Sequence, residues 1–366
     1  VLDLDRLLHA AVEQRASDLH LKVGSRPWVR VDGALVEAPF DTIEPGDTED
    51  LAGRIIPAAQ ADTFREVGDA DFVHAVQGLG RFRVSAFRQR GHVGFVLRRI
   101  VPGVPGIDAL GLPPVLATLM EADSGLVLVT GLAGSGRTST VAALVDHVNT
   151  NERRHIVTIE DPIEVVHADK KSIVDQREVG VDVASVSDAL ARVVRQDPDL
   201  IAVGGLGAPD EARRVLEAAD TGRLVLAAMA TVGAAEAVER LVDLFPRDRH
   251  SGVRSVLART LRGVVCQRLL ARAGGRGRVV AAEVLVVNGP VAQAVADGRD
   301  GARLEQFMSD GEYYGMQTFD QAIARLYDRG LVEREVALDH ASYAPALRLE
   351  LERADRERDR PVTAPA

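Results

Sequence analysis

The run Gly131-Leu132-Ala133-Gly134-Ser135-Gly136-Arg137-Thr138, with Ser139 behind it, decides how this sequence is read. It follows the apolar stretch Leu126 to Thr130 and opens a helical pattern at Ser139, the strand-to-helix context that gives a glycine-rich loop its meaning. It fills every fixed position of a G-x-x-x-x-G-K-[ST] phosphate loop except the lysine, where Arg137 stands. Glycines let successive backbone N–H groups turn inward as an anion nest, and the dipole of the following helix adds positive potential. Gly131, Gly134, Ser135, Gly136, Arg137, Thr138 and Ser139 are therefore the expected nucleotide-binding residues, with the Thr138 hydroxyl offered to Mg²⁺. The competing reading is a plain glycine turn between strand and helix. Arginine keeps the charge of lysine but is a planar fork of different reach. Nucleotide binding rests on the backbone and should survive, while stabilisation of charge developing in the transition state should weaken.

After the loop, strand-like runs at Ile156 to Ile159, Leu200 to Val203 and Leu224 to Ala228 alternate with helical patterns near Val186 to Arg195 and Pro209 to Ala219. Such alternation predicts an α/β domain with a mostly parallel sheet flanked by helices, over residues 115–290. A helical part follows over 291–345. The last stretch, 346–366, is expected to be a solvated tail, because Glu350 to Arg360 mixes acids and bases without an apolar stripe. Before the loop, the proline- and glycine-rich segment 101–114 reads as a linker. Residues 1–100 read as a small α+β domain. Leu4, Leu7, Leu8, Ala11 and Val12 lie at helical spacing, His20 to Val31 alternates, Asp32-Gly33 signals a hairpin turn, and Gly80 to Phe87 and Val93 to Ile100 form a second pair of strands.

The chain of 366 residues is long enough for two cores, and 46% hydrophobic with 27% charged residues is the composition of an ordinary globular protein. A net charge of -10 argues against a general affinity for nucleic acid. Cys266 is the only cysteine, so no disulfide can form within the chain; a reducing compartment and a buried, hydrophobe-like thiol are expected. The acids Asp3 and Asp5 do not suit a secretory signal, and the longest apolar run, Leu224 to Ala230, is far shorter than the ~20 residues of a membrane span. The expected location is the cytoplasm, with no direct membrane insertion.

Several motifs occur together and in order: Ala16-Ser17-Asp18-Leu19-His20-Leu21; Arg81-Phe82-Arg83-Val84 with Phe87-Arg88; Ile156-Val157-Thr158-Ile159-Glu160-Asp161-Pro162-Ile163-Glu164; Arg195-Gln196-Asp197-Pro198-Asp199; Gln267-Arg268-Leu269-Leu270; and Gly315-Met316-Gln317-Thr318-Phe319-Asp320-Gln321. Together they resemble the pilus-retraction ATPases of type IV pili, the PilT twitching-motility family within the type II/IV secretion ATPase superfamily. The resemblance implies a PAS-like N-terminal domain followed by a RecA-like P-loop NTPase domain, with ATP and Mg²⁺ bound between them. It implies a homo-hexamer, or a mixed ring with an intact paralogue, working on an inner-membrane pilus platform protein and so peripheral at the inner face of the cell membrane. Glu160, Asp161 and Glu164 match the family's acidic box, whose carboxylates hold metal waters or help activate the attacking one. Arg81 and Arg83, at alternate positions of one strand, match arginines that reach the phosphates as an arginine finger does.

The resemblance fails at the chemically active positions. Where the family carries a glutamate after its Walker B strand, this chain reads Gly204-Gly205-Leu206-Gly207-Ala208. A positioned general base contributes about 10²–10⁴-fold, so Gly205 alone should cut hydrolysis heavily. Neither family histidine is present: Thr221-Gly222-Arg223 and Ala228-Met229-Ala230-Thr231-Val232 stand in their places. The remaining histidines show no metal-ligand spacing. Two functions compete: an active hexameric motor, supported by the resemblance, and a regulatory pseudo-ATPase, supported by the altered positions. An unrelated small-molecule kinase has only the loop in its favour.

Overall fold

A computed structural model describes residues 2–31, 34–100, 103–275, 277–298 and 301–358, without the side chains of Ala59, Glu357 and Arg358. The chain divides into two compact units. The first is Val1–Gly103 with Asp161–Val166 and Glu178–Asp182; the second is Val104–Glu160 with His167–Arg177 and Val183–Ala366.

The first unit is a PAS-like α+β fold. Its elements are α1 (Leu4–Glu13), β1 (Asp18–Leu21), β2 (Trp28–Val31), β3 (Ala34–Glu37), α2 (Pro45–Ile55), α3 (Ala58–Val67), β4 (Asp69–Val76), β5 (Gly80–Gln89) and β6 (His92–Ile100). The side chain of Asp3 accepts from Arg6 N at the start of α1, and Leu4, Leu7, Leu8 and Ala11 are its buried face, at the spacing of one helical stripe. The six strands pair in the order β3-β2-β1-β6-β5-β4. Along β5, Phe82, Val84 and Ala86 are buried, which puts Arg81 and Arg83 together on the opposite face. β2 and β3 pair antiparallel from Val31 opposite Ala34, and the expected turn at Asp32-Gly33 lies outside the described residues. The sequence reading did not anticipate β4, α2 or α3.

The second unit is RecA-like. Its elements are α4 (Val115–Met120), β7 (Gly125–Thr130), α5 (Arg137–Asn151), β8 (His155–Glu160), β9 (Ile173–Glu178), α6 (Val186–Val193), β10 (Leu200–Val203), α7 (Pro209–Asp220), β11 (Leu224–Met229), α8 (Ala234–Asp243), α9 (His250–Thr260), β12 (Leu261–Ala271) and β13 (Arg278–Val286). Five helices complete it: α10 (Gly289–Asp297), α11 (Gly301–Asp310), α12 (Phe319–Asp328), α13 (Arg334–Asp339) and α14 (Ala344–Arg358). The sheet order is β13-β12-β7-β11-β10-β8-β9. β12, β7, β11, β10 and β8 are parallel neighbours, and β13 runs antiparallel to β12. Every residue of β7, β10 and β11 is buried, the continuous apolar run expected of parallel strands covered on both faces. Parallel strands end along one edge of the sheet, where ligands of α/β folds bind. The phosphate loop after β7, the Gly204-Gly205 turn after β10 and the Ala230 segment after β11 all emerge from that edge.

Two expectations change. Residues 103–114 have no regular element, yet Ile107 and Leu112 are buried in the core of the second unit, so the segment is packed rather than free. The expected solvated tail from 346 is, up to Arg358, the helix α14. Leu347 and Leu351, four apart on one face, are fully buried and hold it down. Among the described residues no helix is long and apolar enough to cross a membrane.

Candidate nucleotide-binding site

The loop that follows β7 has the backbone its sequence demands. Gly131, Gly134 and Gly136 have φ of 145°, 78° and 93°, all in the region that side chains disfavour. At Gly131 space is also closed: a Cβ there would collide with Ser135 Oγ and stand 2.7 Å from the carbonyl oxygen of Gln267. Gly136 is the N-cap of α5, its carbonyl accepting from Thr140 N at 3.0 Å, and the loop is tightened by Ser135 N donating to Leu132 O at 3.1 Å. The first N–H groups of α5, those of Arg137, Thr138 and Ser139, have no acceptor within the helix.

This cradle fits an anion. Ser135 Oγ, a hydroxyl able to donate, is buried without a hydrogen-bond partner among the described residues. A cavity of about 400 Å³ opens beside the loop; Gly134, Ser135, Gln267, Arg268, Arg278 and His340 are among the residues lining it, and none of its lining residues is a carboxylate. Arg137 is half-buried and forms no ion pair or side-chain hydrogen bond among the described residues, while Thr138 and Ser139 are exposed. The Thr138 hydroxyl is the group that would hold Mg²⁺, whose charge offsets that of a polyphosphate. Cys266 also lines the cavity, but burial pushes its thiol up to about 11, so it stays protonated at neutral pH.

The turn after β10 has a different character. Gly204 N donates to Ile159 O at 2.9 Å and Leu206 N to Ala228 O at 2.8 Å, which stitches the turn to β8 on one side and β11 on the other. A Cβ at Gly205 would meet nothing within 4 Å, and its φ is not in the left-handed region. Neither space nor backbone requires glycine there. Next to this turn, Glu160 ends β8, its Oε1 accepting from Thr158 Oγ1 at 2.6 Å and Gln176 Nε2 at 3.0 Å. A Cβ on Gly204 would lie 3.5 Å from Glu160 Cα, so the two strand ends are adjacent. Ala230 is exposed and offers no polar atom beyond its backbone. Arg223 precedes β11, at the other end of the strand from Ala230, and donates to the carbonyls of Thr221 and Val194.

Arg81, Arg83, Asp161 and Glu164 belong to the first unit, and the phosphate loop with Glu160 to the second. Within the first unit each arginine has a carboxylate. Arg83 Nη1 donates to Glu164 Oε1 at 3.4 Å, and Arg81 Nη2 lies 3.6 Å from Glu178 Oε2. Glu178, 8% exposed, also accepts from Ile163 N at 3.0 Å and so ties the acidic segment to the arginine strand. The sequence reading missed Glu178, whose partners stand far from it in the chain. The Arg83–Glu164 side chains are 44% and 37% exposed, and a pair so open contributes only about 0–1 kcal/mol, so Arg83 is held loosely. Asp161 is exposed and precedes Pro162 through a cis peptide bond.

Both the fold and the loop accord with what the chain is similar to. A family model described as type II/IV secretion system protein matches residues 1–325. The chain belongs to that family. Two relatives from Pseudomonas aeruginosa span nearly its whole length. The type IV pilus retraction ATPase PilT is 38% identical over 340 residues, covering 93% of this chain and 98% of PilT. The type IV pilus ATPase PilU is 37% identical over 348 residues, covering 95% of this chain and 91% of PilU. Among solved structures, the pilus retraction motor PilT with bound ADP superimposes with a TM-score of 0.88 at 38% identity, covering 95% of this chain and 100% of that one.

Proposed function

We propose that this chain is a PilT-like, nucleotide-binding component of a type IV pilus retraction system that binds ADP and ATP with Mg²⁺ and hydrolyses ATP poorly. The observation that carries the reading is Gly205, a glycine with open space and unconstrained backbone where the family's catalytic glutamate would stand. Binding is supported by the glycine cradle, the unpartnered Ser135 Oγ and the carboxylate-free cavity. Gly131 to Ser139 hold the phosphates, with Thr138 on the metal. In line with the resemblance, Glu160, Asp161 and Glu164 serve as the acidic groups of the reaction and Arg81 and Arg83 as its cationic ones. The chain works in a ring, either of its own copies or mixed with an intact paralogue, in the cytoplasm against an inner-membrane platform protein.

A second reading, a fully active retraction ATPase, draws on one observation: Glu160 is held by Thr158 and Gln176 beside Gly204, one residue before Gly205, and could act as base in place of a residue there. Steady-state phosphate release and fluorescent-ADP binding on one preparation separate the two. The proposed function expects saturable ADP binding with turnover far below about 1 s⁻¹, an ordinary enzymatic scale. Turnover at or above that value would establish the active motor instead.

A further inference from the structure

The pairing of β12 with β7 sets Cys266 level with Thr130, so Gln267 stands beside the first residue of the phosphate loop. From there it touches the loop along its length. Its main-chain oxygen is the atom that a Cβ on Gly131 would approach to 2.7 Å. Its side-chain Nε2 donates to the carbonyl oxygen of Ser135 at 2.8 Å, and a Cβ on Gly136 would come within 3.1 Å of that same nitrogen. The residue is 2% exposed, and its Oε1 has no partner.

A buried amide oxygen without a partner is unfavourable, and an apolar side chain of the same length would fill this space without it. Packing therefore does not account for the amide. Its N–H₂ end does: the Ser135 carbonyl takes a buried hydrogen bond from Gln267 on β12. A carbonyl so held keeps the peptide that follows it, whose N–H belongs to Gly136, facing the other way into the nest.

We propose that Gln267 is a positioning residue that fixes the phosphate loop in its anion-receiving conformation by holding the Ser135 carbonyl away from the ligand. This rests on the nucleotide-binding reading of the loop. The residue acts on the phosphates through the loop and makes no contact with them itself.

The test is a fluorescent-ADP titration on the full chain from pH 5 to 8.5, for wild type, Gln267→Met and Gln267→Glu, with thermal melts at each pH. Methionine keeps the length and removes the donor, so affinity should fall about ten-fold or more, the worth of one buried hydrogen bond, at a little-changed melting temperature. Glutamate should bind near the wild-type level at the acid end, where its protonated carboxyl donates to the Ser135 carbonyl. It should lose affinity relative to wild type as pH rises and the carboxylate repels that oxygen, the wild-type curve carrying the ligand phosphate's own titration. Gln267→Glu serves as its own control, since one chain is compared across pH even if Gln267→Met folds poorly. Variants that bind ADP as wild type does at every pH, or a Gln267→Glu loss that is the same at every pH, would overturn the clamp alone. Wild type that binds no ADP would overturn the nucleotide reading with it.

Discussion

Two glycine turns leave the same edge of the sheet, and they are glycine for opposite reasons. After β7, Gly131 is walled in by Ser135 and Gln267 at φ 145°, and Gly134 and Gly136 are left-handed. After β10, Gly205 faces open space with no left-handed φ. The first set is dictated by the shape a phosphate cradle must have. At Gly205 neither space nor backbone calls for glycine. Under the proposed function, the molecule retains the part of the site that depends on backbone form and lacks the part that depends on a functional group. On that reading binding and turnover, which one loop motif would suggest together, come apart.

Substitutions at the two turns should divide accordingly. Gly131→Ala should be the most damaging, adding φ strain to a collision with the Gln267 carbonyl; we expect roughly 3 kcal/mol of lost stability and abolished ADP binding, read by chemical denaturation and titration. Gly136→Ala adds a φ penalty of about 1 kcal/mol and crowds the Gln267 Nε2 that holds the Ser135 carbonyl, 3.1 Å from the new Cβ, so ADP binding should be measurably weaker. Gly205→Ala should change stability by no more than about 0.5 kcal/mol and leave ADP affinity as it was. A Gly205→Ala variant that unfolds, or a Gly131→Ala variant that binds normally, would break the contrast.

Much of this was legible in the sequence because the signals are local. The apolar runs that became β7, β10 and β11 are buried throughout, and a strand of that kind announces itself by composition. The loop announces itself by spacing. What stayed hidden depends on partners distant in the chain. β12 and β13 form one long antiparallel pair beside β7, yet their sequences lack the even alternation of a half-exposed strand because most of β12 is covered on both faces. Glu178 shows its role only once Arg81 and Ile163 are beside it. Gln267 gave one faint signal, a polar residue directly after Val264-Val265-Cys266, since a polar group within a buried strand must find a partner. In α14 the charged stretch hid an apolar pair, because Leu347 and Leu351 are only two positions of their face.

The separation of cradle from chemistry is tested most directly by restoring the chemistry alone. In Arg137→Lys with Gly205→Glu, steady-state phosphate release is measured against wild type, with ADP affinity and melting temperature followed on the same samples. The account predicts a rise of about 10²-fold or more, the contribution of a positioned base, with binding and stability nearly unchanged. Wild type already turning over at about 1 s⁻¹ or faster, or a double variant that folds and binds but releases phosphate no faster, would contradict it.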